Sequence, residues 1–170
     1  MKKLLAIVLL ASSSSAVFAA PDAQINITGK VIEGTCTIDG TGTGTKQIDV
    51  PLNSVMASAF TAPGAIDNGR KSFDIKLTNC PDATTTLKWD ASANVDGATG
   101  TLKNTASGTN AQVQLFKSDG TTPVNLASDP GVSFTGTSQT FTYVAKYYAK
   151  TTPVTGGALS TYSYIYLTYQ

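Results

Sequence analysis

The last nine residues, Tyr-Ser-Tyr-Ile-Tyr-Leu-Thr-Tyr-Gln at 162–170, constrain the fold of this chain most. They form a β-strand pattern with no turn or helix signal after it. Strand side chains alternate with a period of two. Ser163, Ile165, Leu167 and Tyr169 therefore share one face, and Tyr162, Tyr164, Tyr166 and Thr168 share the other. Both faces are β-prone, as suits a strand with neighbours on each side. Terminal residues fray unless tied down, and an unpaired apolar edge invites association with another chain. The ending thus points to a subunit of an assembly.

The front of the chain carries an export signal. Met1-Lys2-Lys3, the apolar run Leu4–Ala11, a serine patch and Val17-Phe18-Ala19-Ala20 form a secretory signal peptide over residues 1–19, with cleavage after Ala19. The apolar run is well short of the roughly 20 residues that span a bilayer. The mature segment, 20–170, keeps ten basic residues against 11 acidic ones, a net charge of −1. That balance offers nothing to a nucleic acid or an anionic membrane.

Two cysteines, Cys36 and Cys80, are present, and no histidine. In an oxidising compartment the default reading is one disulfide. A catalytic thiol would lack an imidazole base, and no CxxC or zinc-ligand cluster is present, so neither redox chemistry nor a metal is expected. With no nucleophile elbow and no phosphate loop, the remaining route to catalysis is a carboxylate pair such as Asp74 and Asp90, and nothing makes those two converge. No enzyme and no cofactor are expected.

The mature length suits one domain. Turn signals recur at Asp39-Gly40, Asn68-Gly69, Asp96-Gly97 and Asp119-Gly120. Between them lie alternating apolar runs: Phe73, Ile75, Leu77; Leu87, Trp89; Val113, Leu115; and Phe141, Tyr143, Ala145, Tyr147. Ser54–Phe60 is the one stretch suited to a short helical turn, Trp89 reads as core, and Lys146 and Lys150 read as a solvated face. The pattern predicts a β-sandwich of about seven strands, immunoglobulin-like in kind.

Several motifs then carry a resemblance. Ile-Asn-Ile-Thr-Gly-Lys-Val-Ile at 25–32 leads to Cys36, and Leu-Thr-Asn-Cys-Pro occupies 77–81. Tyr-Tyr-Ala-Lys at 147–150 precedes Pro153-Val154 and Gly156-Gly157. Gly157 and Tyr169 stand fourteenth and second from the end. Together these resemble the pilins of the chaperone-usher family, close to type 1 fimbrial subunits.

The resemblance implies an incomplete immunoglobulin-like sandwich, completed when a neighbouring subunit donates a strand. Residues 20–35 would be the donor extension and 36–170 the pilin domain. The donor face would be Ile25, Ile27, Gly29, Val31, Glu33 and Thr35, with Gly29 at a shallow pocket and the Glu33 end partly solvated. Each buried Ile or Val would contribute roughly 1.5–3 kcal/mol.

On the acceptor side the resemblance implies roles for Gly157, Ile165, Leu167, Tyr169 and Gln170. Ile165 and Leu167 would floor the groove, Tyr169 would help to bind a periplasmic chaperone, and the Gln170 carboxylate would be anchored by it. The Cys36–Cys80 bond would hold one groove wall. Implied partners are that chaperone, an outer-membrane usher and neighbouring pilin subunits, in a fimbrium on the cell surface that supports adhesion. The short Ala20–Gln24 leader leans toward a minor adaptor over a major rod subunit. The competing expectation is a secreted, self-contained β-sandwich that acts as a binding module or adhesin.

Overall fold

The computed structural model describes residues 28, 29, 31, 34–40, 45–67 and 69–170. The chain divides into two units, Met1–Val31 and Ile32–Gln170. In the first, Thr28, Gly29 and Val31 are exposed, and the expected signal peptide lies outside the described residues. The second unit is all-β. Its strands are β1 (Thr37–Ile38), β2 (Lys71–Thr78), β3 (Thr84–Trp89), β4 (Gln112–Lys117), β5 (Pro123–Val124), β6 (Val132–Thr135), β7 (Gln139–Tyr148) and β8 (Ile165–Tyr169). A 3-10 turn at Ala57–Ala59 falls inside the stretch expected to hold one.

Every strand pair is antiparallel. One sheet has the order β1-β2-β7-β4-β5 and the other β6-β3-β8. The alternation read from the sequence decides which faces meet. Ile75 and Leu77 of β2, Leu87 and Trp89 of β3, Val113 and Leu115 of β4, and Tyr143 and Ala145 of β7 are all buried and form one cluster. Trp89 meets Tyr143 edge-on with ring centroids 5.3 Å apart, a favoured aromatic geometry. The tryptophan is core, as its strand spacing predicts.

Of the two lysines read as a solvated face, Lys146 is half-buried, and Lys150 is exposed but pairs with a buried carboxylate. Lys146 Nζ donates to the Gly120 carbonyl at 2.6 Å and lies 4.7 Å from the Phe116 ring centroid. Its stem thereby covers the outer face of β4, where Phe116 is buried. Lys150 Nζ pairs with Asp96 at 2.5 Å. Asp96, read from the sequence only as a turn residue, does cap its turn by accepting the Ala98 N–H. Its other oxygen is buried, receiving Lys150 and, at 2.9 Å, Gln112 Nε2. Thr101 Oγ1 completes the network by donating to Gln112 Oε1. A buried carboxylate is tolerated only when its oxygens are satisfied, and these donors satisfy it.

Gly157 has a packing role. A Cβ there would lie 2.5 Å from the Gly108 carbonyl carbon, because Gly108 and Ala158 form a bridge that brings two backbones together. Gly157→Ala must push that bridge apart, and denaturant melts should show a loss of about 1–3 kcal/mol.

Cys36 and Cys80 are disulfide-bonded across 44 residues. Replacing both with serine should lower stability by about 4 kcal/mol in the chain-entropy account, measured as a fall in denaturant midpoint at unchanged slope.

The Lys150 bond, followed by that of Gln112, holds the Asp96 carboxyl at about 2 against an ordinary 3.8. A carboxyl lowered by folding stabilises the fold above its unfolded value, and that contribution is lost as pH falls through its folded one. Lys150→Met should therefore be less stable than the unsubstituted chain above pH 4. The gap should close as pH drops from about 4 to about 2, in acid titrations followed by circular dichroism.

Candidate functional site

The strand that ends the sequence is paired on one side only. Its partner is β3, with Thr85 opposite Tyr169, Leu87 opposite Leu167 and Trp89 opposite Ile165. Thr84 and Gln170 exchange both main-chain bonds at 2.9 Å, and Asp90 N–H donates to the Tyr164 carbonyl at 2.9 Å. In an antiparallel ladder such pairs alternate along the strand. Tyr164, Tyr166, Thr168 and Gln170 therefore spend their main-chain groups on β3. The main-chain groups of Ser163, Ile165, Leu167 and Tyr169 point the other way, to an edge where no strand lies among the described residues. Their side chains also turn inward, and all four residues are half-buried.

Beside this edge lies a cleft of about 1190 Å³. Leu159–Tyr166 form one wall; Cys36–Ile38 with Ile48, Val50 and Leu52 form the other. Ile75, Trp89, Leu102, Val113 and Leu115 lie at the bottom, so the cleft opens directly onto the core. Ser163 Oγ is buried there with no hydrogen-bond partner. The groove thus offers a row of open main-chain donors and acceptors together with an apolar floor. An extended peptide supplies the complement of both: main-chain bonds at every second residue and alternate side chains for the floor.

The disulfide ties the start of the opposite wall to the residues just after β2. The Asp39 N–H, bonded to the Lys76 carbonyl at 3.0 Å, extends the short β1 pairing by one link. Tyr169 reaches toward the same wall, its phenol oxygen accepting the Cys36 N–H at 2.9 Å.

The expected site residues fall in different places. Ile165 lines the groove, while Leu167 and Tyr169 lie just past its end and Gln170 is fixed by Thr84. Gly157 lies outside the lining, against Gly108. Of the donor face, Gly29, Val31 and Thr35 are exposed, and Ile25, Ile27 and Glu33 lie outside the described residues. Sequence reading missed the far wall: Ile48, Val50 and Leu52 alternate with period two, but Pro51 between them disguises the run.

The carboxylates do not converge on a reaction centre. Asp74 accepts from Thr142 Oγ1 at 2.8 Å on the outer side of β2. Asp90 caps its own loop through the Ser92 and Ala93 N–H groups. No cluster of three metal-ligating side chains occurs among the described residues.

No protein-family model matches the chain. It is 32% identical to the F17 fimbrial protein of Escherichia coli over 170 residues, 92% of either chain. It is also 32% identical to the major fimbrial subunit SMF-1 of Stenotrophomonas maltophilia, over 85% of this chain and 91% of that one. Among solved structures, a type I fimbria protein of Burkholderia pseudomallei superposes with a TM-score of 0.57 at 29% identity, covering 79% of this chain and 89% of that one. The P pilus rod subunit PapA shares the fold with a TM-score of 0.57 at 21% identity, over 81% of this chain and all of that one. With two curated relatives above 30% identity over nearly their full lengths, and an immunoglobulin-like sandwich open beside its last strand, the chain belongs to the fimbrial subunits of the chaperone-usher pilin family, which are structural proteins and not enzymes.

Proposed function

We propose that this subunit joins its fibre by strand donation in both directions: its groove accepts an extended segment from one neighbour, and its own residues 20–35 fill the groove of the next. The observation that carries this reading is the parity of β8. Ser163, Ile165 and Leu167 turn their main-chain groups to an open edge and their side chains to the interior. This is the geometry of strand addition, where main-chain bonds supply affinity and alternate pockets supply specificity. Ile25, Ile27 and Val31, spaced by two and four residues, match that alternation in the sequence.

Before assembly the same groove would be covered by a periplasmic chaperone, with delivery through an outer-membrane usher to a fimbrium on the cell surface. The short Ala20–Gln24 leader supports a minor adaptor position. Subunit counting on purified fibres tests that rank: a fixed small number per fibre is expected. A count that scales with fibre length would make it a rod subunit, as the Stenotrophomonas relative is named.

The decisive experiment is thermal unfolding of a chain lacking residues 20–35, with and without a synthetic peptide of those residues. At about 100 times its Kd the peptide should add about 2.7 kcal/mol, seen as a rise in Tm. A truncated domain that melts identically with and without peptide would show the sandwich to be complete, leaving a self-contained binding module.

A further inference from the structure

The groove is blind at one end. On one wall its lining begins at Cys36, and on the other it stops at Ile165 and Tyr166. Just beyond, the Tyr169 ring turns inward against the core and its phenol oxygen accepts the Cys36 N–H at 2.9 Å. These residues are 133 apart in sequence and belong to opposite walls, and Cys36 is further immobilised by its disulfide.

We propose that Tyr169 is the end wall of the acceptor groove and sets the register of the incoming strand. The inference rests on the strand-accepting reading above, with the extension of another copy of this chain as occupant. Between the wall and the far end of the lining, β8 and the segment before it present five inward positions: Leu159, Thr161, Ser163, Ile165 and Leu167. At about 3.4 Å per residue, nine residues of extended guest span that stretch, roughly 31 Å. Ile25, Ile27, Gly29, Val31 and Glu33 also occupy five alternate positions over nine residues.

Register errors come in two kinds. A slip of one residue turns the guest's apolar face outward and is rejected by the groove floor. A slip of two residues keeps the face inward, so the floor discriminates against it poorly. Tyr169 removes that option at its end. To pass, the guest must displace the ring and strip the Cys36 N–H of its acceptor, and a buried donor left unpaired is costly. Tyr169 is thus a positioning residue: the ring is the obstacle and the hydroxyl holds it in place.

The test uses the full mature chain, unsubstituted or carrying Tyr169→Ala or Tyr169→Phe. Each is titrated with the 20–35 peptide and with versions lengthened by one Ile-Thr pair at either terminus. For the unsubstituted chain, lengthening toward Tyr169 should change affinity by less than about twofold. In Tyr169→Ala the same peptide should bind roughly tenfold tighter than the 20–35 peptide, because one more isoleucine is buried. Tyr169→Phe should keep the length limit while hydrogen exchange at the Cys36 amide quickens about fivefold, the loss of one hydrogen bond. If Tyr169→Ala binds the lengthened peptide no better than the 20–35 peptide, or, should the alanine chain not fold, if Tyr169→Phe leaves exchange at the Cys36 amide unchanged, this inference fails alone. If no peptide binds the unsubstituted chain, the strand-accepting reading fails and this inference with it.

Discussion

The pairing of β8 with β3 is the constraint on which the rest depends. It fixes parity: Thr84–Gln170 and Asp90–Tyr164 are bonded, so odd-numbered residues from 163 to 169 carry both the open main-chain groups and the inward side chains. Shifting β8 by one residue would send Tyr164 and Tyr166 into the core and turn Ile165 and Leu167 to solvent. The same register exposes Tyr162, Tyr164 and Tyr166 at 50%, 47% and 57% on the outer face. Tyrosine suits that position because its ring packs on the sheet while its hydroxyl stays wet. Tyr166, for example, donates to Asp90 at 3.2 Å.

An open groove needs walls that do not fall together. A β-sandwich that lacks a strand could recover apolar burial by collapsing its two sheets, at the cost of main-chain groups left unpaired in the closed gap. Here the far wall has little sheet structure of its own: β1 is two residues long. Beside that short pairing and the Asp39–Lys76 link, it is held by the Cys36–Cys80 bond and, across the gap, by the Tyr169 hydroxyl. The tie across the gap is a single hydrogen bond. The gap at that end is therefore set by the length of a tyrosine side chain.

The fold was legible because alternation survives in most of the long strands, β4 with its five successive buried residues excepted. β2, β3, β7 and β8 each carry an apolar set at period two, and the turn glycines stand between them. Gly120 shows why the Asp-Gly signal worked: it has φ +67°, and Asp119 accepts the Thr121 and Thr122 N–H groups to hold the turn. Asp96 shows how the same signal can hide a second role, since its burial depends on Gln112 and Lys150, neither of them near it in sequence. Lys150 is a surface lysine, as its sequence suggests, but its pairing with Asp96 was hidden for the same reason. The near wall of the groove was visible in the strand pattern at 162–170, but its start at Leu159–Thr161 and the far wall were not. The far wall's apolar residues Ile48, Val50 and Leu52 alternate, but they lie in irregular chain, and Pro51 among them argues against a strand.

The meeting of Cys36 with Tyr169 also bears on which strand can occupy the groove. The segment proposed above as donor would leave the sandwich at Cys36, which lies beside the C-terminal end of β8. If it turned back into its own groove, it would run away from Tyr169 as its numbering falls, and so parallel to β8. An extension from another copy carries no such tether and is free to lie antiparallel. Parallel ladders have slanted bonds and are slightly less stable per residue. On the strand-donation reading proposed above, that point of attachment would weigh against self-occupation.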